Sequence, residues 1–157
     1  MTLSLALPLL LLLAGERTAL GVWERWAALR DSQPPRCFAI AQPVAGDGTP
    51  DRSGAFATVA ARSGASGSPA VFVRLSRARG TGAAITLAVG ERRFSLVGDR
   101  RDARAPDAAT DRAIVGAMRG GRAMTVTSAD AAGGAITDVY ALAGAPTAID
   151  AAQLGCR

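Results

Sequence analysis

The chain contains no histidine, no lysine and no asparagine, and its aromatic residues amount to four Phe, two Trp and one Tyr in 157 positions. Without histidine there is no Ser-His-Asp or Cys-His nucleophile system and no imidazole zinc site. Without lysine there is no Schiff base and no Ser-Lys dyad. The commonest general acid–base side chain is missing altogether. An enzyme made from this chain would have to rely on carboxylates, Tyr140 or arginine. Cysteine is scarce as well: Cys37 and Cys156 are too few for a metal site and too distant in sequence for a Cys-x-x-Cys redox motif. No metal and no cofactor is expected.

The length fits one domain with room for a real core. Hydrophobic residues make up 49% and charged residues 20%, which argues against disorder. Ala, Gly and Arg are heavily used, the mark of GC-rich codons, so arginine counts carry little by themselves. The net charge of +5 favours anionic surfaces such as lipid head groups, lipopolysaccharide or nucleic acid. An evenly solvated arginine-rich surface is the plainer reading. Aromatic interleaving is too thin for a single-strand nucleic-acid binder.

Residues Leu3 to Ala14 form an apolar run interrupted by Ser4 and Pro8. It is short for a transmembrane helix, which takes about 20 apolar residues, and suits the core of a signal peptide. Ala19-Leu20-Gly21 supplies small residues around a cut, and Leu12-Leu13-Ala14 a second, poorer site. Glu16 stands where a lipoprotein signal needs cysteine. The expected division is a leader or uncleaved anchor over 1–21 and a folded domain over 22–157. Membrane contact would then come only through an uncleaved leader.

Past the leader, Val22, Trp26 and Leu29 suit a short helix, while Trp23 suits an entering strand; a core anchor is the expected role of the tryptophans. A turn over 31–35 leads into the Cys37 strand. Alternating segments follow over 37–42, 55–62, 71–75, 85–89, 92–97, 124–126 and 136–140. Phe56 and Thr58 share one face, Ala57 and Val59 the other, and Val71, Val73 and Leu75 share a face. Hairpin turns are expected at Gly90-Glu91 and over 131–134. This pattern predicts an all-β, immunoglobulin-like β-sandwich of about six to eight strands. Two short helices interrupt it. Thr110 is the expected N-cap of a helix over 111–119 with Gly120 after it, and Ile114, Val115 and Met118 form its apolar stripe. Pro146 opens the second, with Ile149 and Leu154 facing inward.

Four groups of residues could carry chemistry. In an exported chain a Cys37–Cys156 disulfide is the default, and two buried thiols the alternative. Asp99, Asp102, Asp107 and Asp111 match no EF-hand spacing and are interspersed with arginines, so a solvated loop and a helix start account for them. The doublets Arg92-Arg93 and Arg100-Arg101, with Arg74, Arg77 and Arg79, would form a phosphate or sulfate patch only if strand pairing gathers them. Gly80-Thr81-Gly82 and Gly133-Gly134 precede no helix and read as turns.

Five segments resemble the invasion-associated locus B family of bacterial envelope proteins. They are an early Trp, Cys37-Phe38-Ala39-Ile40-Ala41-Gln42-Pro43, Arg92-Arg93-Phe94-Ser95-Leu96, the run Ala113 to Val126, and Thr137-Asp138-Val139-Tyr140-Ala141-Leu142-Ala143-Gly144 before an Ala-rich helix and the last Cys. The resemblance spans Trp23 to Cys156. It implies a β-sandwich, export and no enzymatic activity. Taken together, the expected function is a non-catalytic exported envelope domain that binds an envelope protein or an anionic envelope polymer. The alternative is a carboxylate-dependent hydrolase of envelope glycans, with its acids among Asp99, Asp102, Asp107 and Asp138.

Overall fold

The computed structural model describes residues 15–61 and 67–157. Most of the expected leader and part of the Ser/Gly loop lie outside the described residues. Ten strands and two helices follow in the order β1 (Arg17–Trp23), β2 (Trp26–Ser32), β3 (Pro35–Ala41), β4 (Phe56–Ala61), β5 (Ala70–Arg74), β6 (Ile85–Val89), β7 (Arg92–Gly98), β8 (Asp102–Arg104), α1 (Ala108–Gly120), β9 (Ala123–Ala129), β10 (Ala135–Ala141) and α2 (Ala145–Gly155). Every strand pair is antiparallel, in the spatial order β1-β2-β3-β4-β5-β8-β7-β6-β9-β10. Strands β5 to β8 form a Greek key, since three hairpin-linked strands return β8 to the side of β5.

One continuous sheet becomes two layers at β7. Its residues Arg92 to Leu96 pair with β6, and Val97 and Gly98 pair with β8. Gly98 is needed at this corner, because a Cβ there would lie 1.8 Å from the Asp102 carbonyl oxygen. The fold class is therefore the expected all-β sandwich, with more strands than the alternation predicts.

The inward rows follow the period of two. Trp26, Ala39, Ala57, Val59, Val71, Val73 and Leu75 from one layer meet Leu87, Val89, Met124, Val126 and Tyr140 from the other in one core. Helix α1 adds Ile114, Val115 and Met118 to it. Helix α2 lies on the inner side of β1 to β4. There Ala152 joins Ala28 and Cys37 in a second, smaller cluster, with Leu20 and Cys156 against it. The turns at Gly90-Glu91 and over 131–134 connect β6 to β7 and β9 to β10 as expected.

Four expectations change. The segment around the tryptophans is a β-hairpin, with Trp23 opposite Trp26 and Glu24 at φ 54° in its two-residue turn. Residues 17–21, expected in the leader, make up most of β1, so the sheet begins before residue 22. Helix α1 starts three residues early: Asp107 is its N-cap, accepting from the Thr110 backbone N–H at 2.7 Å, and Gly121 rather than Gly120 is the C-cap. Asp caps as well as Thr, and the two alanines after it extend the helix freely. Leu154 is 62% exposed. Five residues past Ile149 it has rotated about 140° from the buried stripe, so it faces solvent.

Candidate functional site

The disulfide joins Cys37 at the heart of β3 to Cys156 at the C-cap of α2, with Cα atoms 5.8 Å apart. It spans 119 residues, and Cys37 is fully buried. A loop of that length contributes about 2–5 kcal/mol. The bond ties α2 to the sheet and carries no neighbouring ligand set: among the described residues no cluster of His, Cys, Asp and Glu could hold a metal ion.

Of the four candidate acids, Asp107 and Asp138 occupy separate structural posts, and Asp99 and Asp102 share one depression. Asp107 caps α1, and the bonds to its carboxylate lower its pKa. Asp138 is buried on β10 and accepts from the Ser76 backbone N–H at 2.9 Å. Asp102 on β8 pairs with Arg74 at 3.3 Å. Asp99 is exposed and lines, with Asp102, a shallow depression that also holds Arg74, Arg100 and Arg101. Asp111, the remaining member of the cluster, is buried and accepts from the Val71 N–H at 2.8 Å. Tyr140 is fully buried, and its hydroxyl meets no hydrogen-bond partner among the described residues. Burial, then the charges of Asp138 and Asp51, raise its pKa. It stays a neutral phenol.

Pairing gathers part of the expected basic patch. Arg74, Arg79, Arg100 and Arg101 surround Asp99 and Asp102 in two adjoining depressions. Two of them are committed to backbone carbonyls: Arg101 donates to Leu75 and Ser76, and Arg79 to Ala83, Gly98 and Asp99. Arg77 pairs with Asp130 at 2.9 Å. Arg92 stands apart, beside Arg122 at the end of α1.

The outward face of the first layer is the feature that sequence reading did not assemble. Register carries one row across seven strands: Val22, Ala27, Ile40, Thr58, Phe72, Arg104 and Val97. A second row runs Ala19, Leu29, Phe38, Ala60, Ala70. A third is charged: Arg17, Asp31, Arg36. Where these rows cross β3, β4 and β5 they form a groove of about 470 Å³, lined by Phe38, Ile40, Phe56 and Phe72, with Thr58, Ala60 and Ala70 between them. Phe56 and Phe72 pack at 5.9 Å between ring centroids.

Arg17 and Arg36 close one end of the groove. Their guanidinium carbons sit 5.4 and 5.5 Å from the centroid of the Phe38 ring, a double cation–π contact that leaves this outward-facing ring 7% exposed. Asp31 lies between the two arginines, 2.6 Å from Arg17 Nε and 2.7 Å from Arg36 Nε. Their hydrogen bonds hold its pKa at about 2, well under the usual carboxylate range. The expectation that Phe56 and Thr58 share a face contained a trace of this groove. Which strands lie side by side did not follow from it.

Fold and site together define a disulfide-closed β-sandwich with an apolar, arginine-ended sheet face. Invasion-associated protein B from Bartonella henselae has a crystal structure similar to it, with a TM-score of 0.63 and 16% sequence identity over 83% of this chain and 92% of that one. The likeness is one of fold, and it agrees with the fold that the motif resemblance implies. No protein-family model and no curated protein sequence matches the chain.

Proposed function

We propose that this chain is an exported domain of the bacterial cell envelope that acts by binding an envelope protein or an anionic envelope polymer, without catalysis. The observation that carries the reading is the outward sheet face, where apolar rows end on Arg17 and Arg36. That face exposes Val22 and Val97 and leaves Ile40, Phe56 and Phe72 half-buried, and apolar side chains grouped beside charges mark an interaction site where singly scattered ones do not. The apolar leader run, the cysteine pair and the fold shared with an invasion-associated protein support the envelope as the compartment. The glycan-hydrolase alternative has less behind it, since three of its four acids are engaged with an arginine or a backbone N–H.

Immobilised mature protein, washed with envelope and cytosolic fractions in parallel, tests this. Selective retention of an envelope component, weakened by salt as arginine contacts are, is the expected outcome. Retention of nothing, or release of fragments from isolated peptidoglycan that Asp102→Asn abolishes, contradicts it.

A further inference from the structure

We propose that the groove on β3, β4 and β5 binds the alkyl chain of a single-chain lipid whose phosphate head sits against Arg17 and Arg36. This rests on the binding reading above and names the chemistry of what is bound.

The shape comes first. A volume of about 470 Å³ falls within the range of small-molecule sites, roughly 300–1,000 Å³. Small residues on β4 and β5 lie between the bulkier Phe38 and Ile40 on one side and Phe72 on the other, because Phe38 is opposite Ala60 and Ala60 opposite Ala70. The result is a trough with Phe38 and Ile40 along one side and Phe72 on the other, which suits a linear chain.

Charge selects the occupant. The face carries Arg17, Arg36, Arg74 and Arg104 against Asp31 and Asp102, four positive charges and two negative. A second copy would bring the same excess and a further +5 overall. An anionic head group is attracted instead. At the closed end Arg17 gives Asp31 two hydrogen bonds and Arg36 gives it one. A guanidinium has more N–H donors than that. Asp31 and the Phe38 ring therefore hold two guanidinium groups, one on each side of the carboxylate, with donors in hand and one positive charge in excess, and such donors recognise phosphate oxygens.

Calorimetric titration of the mature protein at physiological salt, with probes below their self-association concentrations, tests the assignment. Dodecyl phosphate is expected to bind one to one, at least tenfold more tightly than dodecyl maltoside or butyl phosphate. Thr58→Glu, which puts a carboxylate on the trough floor, should lose at least tenfold. Arg36→Gln should lose about fivefold for dodecyl phosphate and nothing for dodecyl maltoside, a split that mere loosening of the fold does not produce. Absent or head-group-independent binding overturns the inference, as does binding that Thr58→Glu leaves intact. A concentration-dependent dimer dissolved by Thr58→Glu overturns it in favour of a second copy. If dodecyl phosphate fails while the immobilised protein still retains an envelope component, the lipid is wrong and the binding reading stands; if both fail, both are wrong.

Discussion

Arg17 on β1 clasps Asp31 on β2 through two hydrogen bonds, Nε to Oδ1 at 2.6 Å and Nη2 to Oδ2 at 3.0 Å. Arg17 lies inside the stretch that reads as leader in the sequence, and Asp31 lies beyond it. A cut after Gly21 would remove five of the seven residues of β1, Arg17 and Leu20 among them. A cut after Ala14 would leave the strand whole. The exported protein is expected to keep Arg17, as its N-terminal sequence and intact mass will show. A chain begun at Val22 should be less stable than one begun at Gly15 by roughly 2–4 kcal/mol in urea, from the lost pair and the lost Leu20 packing. Equal stability would show β1 to be dispensable.

The same carboxylate sets a pH dependence. With its pKa held at about 2, below the ordinary value of 3.8, Asp31 stabilises the fold at pH values above its unfolded pKa. That contribution is lost as the pH falls from about 4 to about 2. Its partners are more than half exposed, so solvent screening reduces it to about 1 kcal/mol. Asp31→Asn should lower stability at neutral pH and flatten the acid limb over that window. An unchanged acid limb would mean that Asp31 is not ionised between its two arginines.

Tyr140 buries a hydroxyl that meets no partner among the described residues. Such a group costs about 1–3 kcal/mol where it lies. Tyr140→Phe should therefore be neutral or stabilising by about 1 kcal/mol in urea. Burial raises the phenol's pKa, and a neutral buried phenol costs stability above the unfolded value. The chain's one tyrosine should thus ionise together with unfolding in an alkaline titration by ultraviolet absorbance. Ionisation of a still-folded protein contradicts this.

Gly144 begins α2 at φ +85°, where a Cβ would lie 2.0 Å from the Trp23 carbonyl oxygen. The turn of the β1–β2 hairpin and the start of α2 touch backbone to backbone at that point. Gly144→Ala meets both the left-handed backbone and the collision. A loss of more than about 1 kcal/mol in the urea midpoint is expected, whereas Gly133→Ala, in open space at φ +83°, pays only for its backbone.

Much of the fold was legible because its strands alternate cleanly. Val71, Val73 and Leu75 are buried on one side of β5 and beyond it as their spacing predicts, and the Gly90 hairpin stands where a left-handed residue was needed. The first hairpin was not legible because Glu24-Arg25 offers no turn signal: Glu24 takes a positive φ that glycine or asparagine would have announced. Strand β8 has three residues, two of them charged, and gains its place only by pairing with β5 and β7. The groove escaped for a related reason. Its walls come from three strands, and its charged end from Arg36 on β3 and Arg17 on β1, most of which the sequence assigns to the leader. The parts of Arg79 and Arg101 were hidden too, since no spacing tells an arginine bound to carbonyls from one free to meet phosphate.

Export leaves a chemical record in the Cys37–Cys156 bond. The most direct measurement is a thiol count on protein recovered from the periplasmic fraction, denatured with and without reductant. No reactive thiol before reduction and two after it is the predicted result, with the reduced protein less stable by about 2–5 kcal/mol. Two free thiols before reduction, or recovery of the protein from the cytoplasm alone, would contradict the account.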